Sequence, residues 1–298
     1  MKDTLSSQDG GGRSALRLER RIAHPPEKVW RALTEPAQLA HWFPSEVRVD
    51  LKVGGKMGFV FPGREGPDMG GAVTELDPPR VFAFTWGDDQ LRWELRPDGD
   101  GCVLTLTHTF GDRFGAASFA SGWHACLTGL AALLDGAETA PGDMAELHEK
   151  YIEAFGLAEG AVETVEGGGW RLRFERQLVR PAETAWQALA GKPGPAGTGA
   201  EAPVVGGPVP FGFRVDAVPA GPVAEVEAPR VLSYDWELDG RPVGRVRWEL
   251  TQGTGHGARL ILTQTAPAEA DEERRAEVLT AWRRHIALLA AKLLRMPG

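Results

Sequence analysis

The tryptophans of this chain repeat along its length, and this repeat constrains the fold more than any other feature. Eight of the ten form pairs at spacings of 150 to 159 residues, with one member in each half of the chain: Trp30 and Trp186, Trp86 and Trp236, Trp93 and Trp248, Trp123 and Trp282. Neighbouring motifs return at similar spacings, since PRV occurs at 79–81 and 229–231 and RWEL at 92–95 and 247–250. A repeat of this length indicates two copies of one structural unit.

Length and composition limit the classes of protein to which the chain can belong. Its 298 residues suffice for two domains of about 150 residues, and each is large enough to bury a hydrophobic core. A net charge of −8 disfavours a nucleic-acid partner, because phosphate binding requires a basic surface. Two cysteines, no apolar N-terminal segment and no apolar run of about 18 residues predict a cytoplasmic protein without membrane insertion.

Each copy has the same order of predicted elements. Alternating apolar residues predict a strand at 16–22, prolines open a helix at 25–33, and a shorter helix follows at 36–42. Several strands come next, with a hairpin turn at Asp98–Gly101. A long helix closes the unit, and its apolar stripe is formed by Trp123, Leu127, Leu130 and Leu134. One run of strands followed by one long helix predicts an α+β fold in which the helix packs on an antiparallel sheet.

The second copy departs from the first at one place. A segment rich in glycine and proline at 191–199 replaces residues 34–44 of the first copy, and we predict a loop there. The glycine pairs at 54–55 and 206–207 are predicted to be strand turns, because neither precedes the lysine and helix of a phosphate loop. We predict a disordered N-terminus at 1–13, domains at 14–136 and 170–296, and a connecting helix and linker at 137–169.

Five separated motifs of the first copy carry a resemblance to a known family: HPPEKVWRALTEP at 24–36, VGG at 53–55, DPPR at 77–80, WEL at 93–95 and GW at 122–123. They resemble the START-like helix-grip (SRPBCC) superfamily, and within it they are most similar to bacterial homologues of the heat-shock-protein-90 ATPase activator. The resemblance covers about residues 14–136, and it extends more weakly over about 170–295.

The resemblance implies a fold and a range of functions. Each of two tandem domains would be a curved antiparallel sheet wrapped around its long C-terminal helix, with an apolar cavity between them. Members of the superfamily bind lipids, polyketides, plant hormones or other hydrophobic molecules. A few are cyclases, some sequester or detoxify antibiotics, and the eukaryotic namesake binds a chaperone. Because the superfamily has no invariant catalytic set, the resemblance transfers no catalytic residue, and we predict neither a metal nor a cofactor.

Two arginines share the phase of apolar residues on their predicted strands. Arg20 follows Leu16 and Leu18, and Arg176 follows Leu172 and Phe174. An arginine that points inward is costly unless it is paired. One interpretation is an anchor for a ligand's oxygen atoms, since a guanidinium suits planar oxygen pairs. The other is a structural ion pair, which the presence of an arginine in both copies favours.

His108 is the main candidate for acid–base chemistry. It lies on the inward face of its strand, and Gln264 is the matching residue of the second copy. A histidine there could act as a base near neutral pH, whereas a buried, hydrogen-bonded histidine is the alternative. His124 on the long helix is predicted to face His108 across the cavity. A metal site of His108, His124 and Cys126 is not predicted, because residues 124 and 126 point in different directions on a helix.

The large aromatic residues have two interpretations as well. They fill the core of a domain of this size, or they line a small-molecule cavity together with a few polar groups. On the second interpretation, we predict ligand contacts from the inward-facing residues of both copies: Arg20, Phe82, Phe84, Trp86, Trp93, Leu106, His108, Trp123, His124, Leu127, Arg176, Trp236, Trp248, Gln264 and Trp282.

These observations support three functional hypotheses. The first is binding or sequestration of a hydrophobic, aromatic or polyketide-like molecule in the first domain, as in natural-product transport or antibiotic self-resistance. The second is a cyclase or dehydratase, which would use His108 or His124 as its base and Arg20 to stabilise an oxyanion. The third is an interaction with a protein partner, like that of the chaperone activator. We favour binding without catalysis, because no carboxylate is predicted on the inward faces near His108.

Overall fold

The computed structural model describes residues 3–8, 12–61, 69–138, 142–166, 168–191, 202–238, 240–255, 257–267 and 272–296. The chain forms two compact units, Met1–Met144 and Ala145–Gly298. Each contains an antiparallel sheet followed by a long helix, so the prediction of two α+β helix-grip domains is confirmed.

The first domain contains eight strands and three α-helices among its described residues. They are β1 (Thr4–Ser7), β2 (Ser14–Ile22), α1 (Pro26–Thr34), α2 (Pro36–Leu39), β3 (Glu46–Val49), β4 (Lys56–Val60), β5 (Met69–Asp77), β6 (Val81–Trp86), β7 (Asp89–Asp98), β8 (Gly101–Phe110) and α3 (Ala116–Asp135). The order of the strands in the sheet is β1-β2-β8-β7-β6-β5-β4-β3.

The second domain has six strands in its described part, in the order β11-β12-β13-β14-β10-β9. Helix α4 (Met144–Ala154) leads into it. The domain continues with β9 (Ala161–Thr164), β10 (Trp170–Gln177), α5 (Ala182–Ala190), β11 (Ala220–Glu227), β12 (Val231–Leu238), β13 (Arg241–Gln252), β14 (Ala258–Ala266) and α6 (Glu272–Leu294).

Each sheet begins with a hairpin that the sequence did not reveal. We predicted disorder at 1–13, but β1 pairs antiparallel with β2, with Thr4 opposite Arg17. Likewise, β9 lies inside the predicted linker and pairs with β10, with Thr164 opposite Trp170. These strands have only four residues each, too few for a periodic signal, yet their backbones pair with the edges of β2 and β10 that would otherwise be exposed. The repeated unit therefore begins earlier than predicted.

The glycine pairs form matching turns, as predicted. The pair at 54–55 exchanges two backbone hydrogen bonds with Val73, each 2.9 Å long, and the pair at 206–207 exchanges two with Val223, at 2.8 and 2.9 Å. The first glycine of each pair has a positive φ, 78° and 81° respectively, which glycine adopts without a steric penalty. The two domains thus stay structurally equivalent on both sides of the segment in which they differ.

That segment is shorter and irregular in the second domain. In its described part no counterparts of α2, β3 and β4 are found, and the residues before β11 contain a single 3₁₀ turn, Phe211–Phe213. Phe213 is fully buried and packs edge-on against Trp186 and Trp248, at centroid distances of 5.1 and 5.6 Å. One aromatic residue of this segment therefore fills core space. The loop predicted at 191–199 lies, apart from Gly191, outside the described residues.

Helix α3 is the core helix of the first domain. Its predicted stripe is confirmed, because Trp123, Leu127, Leu130 and Leu134 are all buried. The stretch Arg113–Asp135 is long and apolar enough to cross a membrane by length and composition. Its apolar character has another explanation in this fold, since the buried stripe packs in the core of its own domain.

Candidate functional site

A pocket of about 460 Å³ lies in the first domain, between one end of the sheet and the N-terminal half of α3. Strands β5 to β8 supply one wall and the helix supplies the other. Most of the surface is apolar, and the polar groups are few. The lining residues are Pro44, Met69, Trp86, Asp89, His108, Ser118, Phe119, Gly122, Trp123, Ala125 and Cys126.

A chain of hydrogen bonds runs through this pocket. The indole Nε1 of Trp123 donates to Nδ1 of His108 at 3.2 Å. Since an indole N–H only donates, Nδ1 must be the acceptor, and the imidazole hydrogen lies on Nε2. That nitrogen donates to Oδ2 of Asp89 at 3.0 Å. His108 is only 3% exposed, so this network identifies it as a neutral, buried histidine with both ring nitrogens engaged.

Asp89 overturns one expectation, because we predicted no carboxylate on the inward faces near His108. It begins β7 and shares the inward phase of Leu91 and Trp93 on that strand. Across the hairpin it pairs with Trp86. The alternation of β7, continued back by one more step, would have revealed Asp89 in the sequence.

The aromatic wall of the pocket is held by rings packed behind it. Trp86 stacks on Phe59 at a centroid distance of 4.9 Å and meets Trp123 edge-on at 6.0 Å. Phe119 meets the ring of His108 edge-on at 4.7 Å. The indole Nε1 of Trp86 is buried and has no acceptor within the part of the chain that the structure describes. This N–H is therefore a buried donor without an acceptor among the described residues, and it is not accessible from the pocket.

Cys126 adds no nucleophile to the site. Burial raises the pKa of its thiol to about 12, so the thiol remains protonated at neutral pH. A protonated, buried cysteine behaves as a small apolar side chain. Among the described residues, moreover, no three His, Cys, Asp or Glu side chains are grouped so that they could hold a metal ion.

The matching site of the second domain contains a related hydrogen bond. Trp282 donates its indole N–H to Oε1 of Gln264 at 2.6 Å, as Trp123 does to His108. Gln264 is fully buried, and its Nε2 has no partner among the described residues. The glutamine thus reproduces the acceptor of the histidine, while the second half of the chain of hydrogen bonds is missing.

The reason lies at Gly244, which pairs with Trp236 as Asp89 pairs with Trp86. A Cβ atom at this glycine would lie 2.4 Å from Nε1 of Trp236 and 2.0 Å from the carbonyl oxygen of Thr265. Trp236 is 1% exposed and donates to that same carbonyl at 2.7 Å. An indole and a backbone carbonyl therefore crowd the position at which the first domain has a carboxylate.

The two inward arginines are both paired with carboxylates, as the structural interpretation requires. Arg20 donates to both carboxylate oxygens of Asp3, at 2.5 and 2.9 Å. Arg176 donates to both oxygens of Glu149 on α4, at 2.6 and 2.7 Å. Burial alone would raise the pKa of Glu149, but the imidazole of His148, with Nδ1 3.5 Å from the carboxylate, and the hydrogen bonds and charge of Arg176 lower it overall.

His124 does not face His108, contrary to prediction. Its Nδ1 lies 3.4 Å from Nη2 of Arg20 on β2. Burial and the positive charge of Arg20 lower the pKa of His124. The two histidines belong to different clusters, so the acid–base pair considered from the sequence does not form.

The predicted ligand contacts therefore divide into three groups. Trp86, His108 and Trp123 line the pocket. Arg20, His124 and Arg176 belong to the ion-pair clusters. The remaining residues are packed in the cores of the two domains and do not line the described pocket: Phe82, Phe84, Trp93, Leu106, Leu127, Trp236, Trp248, Gln264 and Trp282.

The second domain has a groove of its own, of about 720 Å³, in a different place. It lies among α5, residues 208–212 and α6, and it exposes Leu288 and Phe211 by 60% and 76%. In the first domain Gly129 occupies the position that matches Leu288, and a Cβ there would be 3.4 Å from Trp42, just after α2. The groove thus marks where the second domain has no counterpart of α2 among its described residues.

Comparisons with known proteins agree with the repeated fold. The model of the family described as Activator of Hsp90 ATPase homolog 1-like protein matches residues 23–135 and 200–293. No curated protein matches the chain significantly.

Similar solved structures each cover about half of the chain. CalU16 from Micromonospora echinospora is 22% identical over 52% of this chain and 95% of its own, with a TM-score of 0.42. A conserved protein of unknown function from Enterococcus faecalis, EF2215, is 23% identical over 51% and 90%, with a TM-score of 0.45. CV1439 from Chromobacterium violaceum is 29% identical over 41% and 97%, with a TM-score of 0.35. None of these likenesses supports a statement about function.

Proposed function

Since the chain belongs to the activator of Hsp90 ATPase homolog 1-like family, with one copy of the fold in each half, we propose that its first domain binds a hydrophobic, aromatic small molecule. The binding site is the pocket between the sheet and α3. The second domain is a diverged copy in which the matching site is filled by its own side chains.

One observation carries the proposal: the pocket combines an apolar, aromatic wall with a small set of ordered polar groups. Its volume of about 460 Å³ lies within the range of small-molecule sites, which is roughly 300–1,000 Å³. Trp86, Phe119 and Trp123 offer flat surfaces to a ring system, while Asp89 offers an oxygen acceptor. Such sites gain affinity from the apolar surface and orientation from the polar groups.

Acid–base catalysis is a second candidate, and the contact between Asp89 and His108 favours it. A carboxylate held by an imidazole in an apolar pocket is suited to remove a proton from a ligand. Binding is the better supported function, however, because Trp123 and Asp89 occupy both nitrogens of His108. The histidine orients Asp89 and does not itself reach a ligand in this arrangement.

The proposal is tested with N-phenyl-1-naphthylamine, a neutral aromatic probe whose fluorescence rises in apolar surroundings. Gly122 lines the pocket, and a Cβ there would meet nothing within 4 Å. Gly122→Phe therefore fills the cavity without a backbone clash. The matched control is Ala281→Phe, which places the same ring at the equivalent position of α6. We expect the wild-type chain to bind the probe and Gly122→Phe to weaken binding at least tenfold.

The control should bind the probe within about twofold of the wild type. Equal losses from the two variants would contradict a site in the first domain. Absence of any fluorescence change with the wild-type chain would contradict the proposed function itself, provided that its thermal melting shows a folded protein.

A further inference from the structure

We propose that the pocket of the first domain selects organic cations: aromatic ligands whose substituted ammonium group lies against Asp89 and the indole rings of Trp86 and Trp123. This inference rests on the proposed function, because it names the class of ligand for the same pocket. Three observations carry it, namely the charge of the lining residues, the protonation state of His108 and the arrangement of the aromatic rings.

The first observation is that Asp89 introduces a negative charge that no cationic side chain of the lining offsets. Among the described residues that line the pocket, none is a lysine or an arginine. Arg13 does not line the pocket, and its Nη2 donates to the backbone carbonyls of Asp88 and Thr109, at 2.8 and 2.9 Å. Within the lining, an anionic ligand would meet a carboxylate and no lysine or arginine, whereas a cation would supply a counter-charge.

The second observation is the neutral form of His108. If the imidazole were protonated at both nitrogens, it would neutralise Asp89. The N–H of Trp123 points at Nδ1, however, with a distance of 3.2 Å, and a nitrogen that accepts this hydrogen bond carries no proton. His108 therefore gives Asp89 one hydrogen bond without a full positive charge. The side chain of Asp89 is 28% exposed, so a ligand can reach it, and a ligand cation would supply the charge that His108 does not.

The third observation is the wall of aromatic rings beside the carboxylate. Trp86 and Trp123 both line the pocket, and their rings pack edge to face with centroids 6.0 Å apart and an interplanar angle of 73°. Asp89 begins the strand that follows Trp86 in the same hairpin. Tryptophan binds cations more strongly than the other aromatic residues do, and aromatic side chains are used to recognise substituted ammonium groups. The carboxylate and the two indoles together suit a cation that also carries apolar substituents.

The second domain shows what the site becomes without the carboxylate. Gly244 replaces Asp89, Gln264 replaces His108, and Trp236 donates to a backbone carbonyl. The aromatic residues are kept, so they serve the core in both domains. What distinguishes the first domain is the charged group and the space beside it, and both fit a cationic ligand.

The test compares probes of equal shape and different charge. The cation is (2-naphthylmethyl)trimethylammonium, its neutral isostere is 2-neopentylnaphthalene, and the anion is 2-naphthylacetate. Dissociation constants are measured with the full chain by quenching of its tryptophan fluorescence. We expect the cation to bind at least tenfold more tightly than the neutral isostere, and the anion to bind more weakly than both.

Two variants locate the effect. Asp89→Asn removes the charge, and its amide oxygen can still accept the hydrogen bond from His108, so the fold should be retained. This variant should reduce the preference for the cation, measured as the ratio of the dissociation constants of the neutral isostere and the cation, to less than about threefold. Asp88→Asn removes the same charge from the exposed neighbour and should leave the preference intact.

The outcomes separate this inference from the proposed function. If the cation and the isostere bind equally and Gly122→Phe removes both, the pocket binds ligands but the inference about charge is wrong. If Asp88→Asn and Asp89→Asn reduce the preference equally, the effect belongs to the general surface charge and the inference is also wrong. If neither probe binds to the folded wild-type chain, both the inference and the proposed function fail.

Discussion

Two matching positions, one on the long helix and one on the strand before it, have different roles in the two domains. In each domain a tryptophan of the long helix donates its N–H to a polar side chain on the strand that precedes the helix. In the first domain that side chain is His108, which passes the hydrogen bond on to Asp89 beside an open pocket. In the second it is Gln264, fully buried among core residues. A tryptophan that is packed entirely within the core in one copy therefore also lines a pocket in the other.

A single backbone position accounts for much of this difference. At Gly244 the absence of a side chain leaves room for the indole of Trp236 and for its hydrogen bond to Thr265. At the matching position of the first domain, the side chain of Asp89 extends to His108. We infer that the repeated aromatic residues determine the fold, whereas the residues between them determine whether a cavity is present.

The largest expected effect is the loss of unfolding free energy when a buried ion pair is broken, and it differs between the two pairs. Arg176→Met leaves Glu149 facing an apolar side chain, and breaking such a pair costs about 3–5 kcal/mol. Arg20→Met should cost less, about 1–3 kcal/mol, because Asp3 directly precedes the short edge strand β1 and can turn to solvent. Urea unfolding at neutral pH, followed by circular dichroism, gives both values.

The control for this comparison is Arg171→Met on the same strand as Arg176. Its ion pair with Glu163 is about half exposed, so its loss should cost no more than about 1 kcal/mol. A cost for Arg176→Met as small as that of the control would show that the buried pair does not stabilise the second domain.

The second prediction concerns the closed site of the second domain. Gly244→Ala places a Cβ within 2.4 Å of Trp236 and 2.0 Å of a backbone carbonyl, and forcing extra atoms into a packed core costs about 1–3 kcal/mol. Thermal melting should therefore occur several degrees lower. Gly70→Ala in the first domain, where a Cβ meets nothing within 4 Å, is the control. An unchanged melting temperature for Gly244→Ala would contradict the account of why the second site is closed.

The third prediction exchanges the residues of the two sites. His108→Gln, the residue of the second domain, keeps an acceptor for Trp123 and a donor for Asp89. Affinity for N-phenyl-1-naphthylamine should stay within about tenfold, or ~1.4 kcal/mol. His108→Leu keeps neither, and should lower the free energy of unfolding by about 1–3 kcal/mol because the indole N–H loses its acceptor. Equal losses of unfolding free energy in the two variants would show that the hydrogen bonds of His108 do not stabilise the site.

The smallest effect is the titration of His124. Its pKa is lowered by burial and by the charge of Arg20, so the unfolded chain takes up this proton at a higher pH than the folded chain does. The contribution of His124 to stability is complete above the ordinary histidine pKa of about 6.5 and is lost as the pH falls through the folded value. An NMR titration of its ring should have a midpoint below 6.5, and Arg20→Met should raise that midpoint. A midpoint at or above 6.5 in the wild type would contradict the contact with Arg20.

Much of the fold could be predicted from the sequence, because the signals are local or repeated. The tryptophan spacing revealed the duplication, the 98–101 turn separates β7 from β8 as predicted, and the stripe of α3 is buried. The short hairpin strands β1 and β9 were missed, since four residues are too few to show a periodicity. They form because the edges of neighbouring strands require partners, which is a tertiary effect.

The site could be predicted only in part. Alternation indicates which residues face inward, and so it identified Trp86, His108 and Trp123, but it also included residues such as Phe84 that are packed in the core. How far along the cavity a residue lies depends on how the sheet and the helix meet, and the alternation of residues along a strand does not reveal this. The pairing of the arginines was predicted, but their partners Asp3 and Glu149 were not, because these residues come from other segments.

We propose that a ligand enters the first domain and not the second. A titration of the ¹⁵N-labelled chain with N-phenyl-1-naphthylamine, followed through the indole N–H signals of its tryptophans, shows which domain binds the probe. We predict that the signals of Trp86 and Trp123 shift with a common, saturating dissociation constant, while those of Trp236 and Trp282 remain in place. Saturating shifts of Trp236 and Trp282, with Trp86 and Trp123 unmoved, would contradict the account.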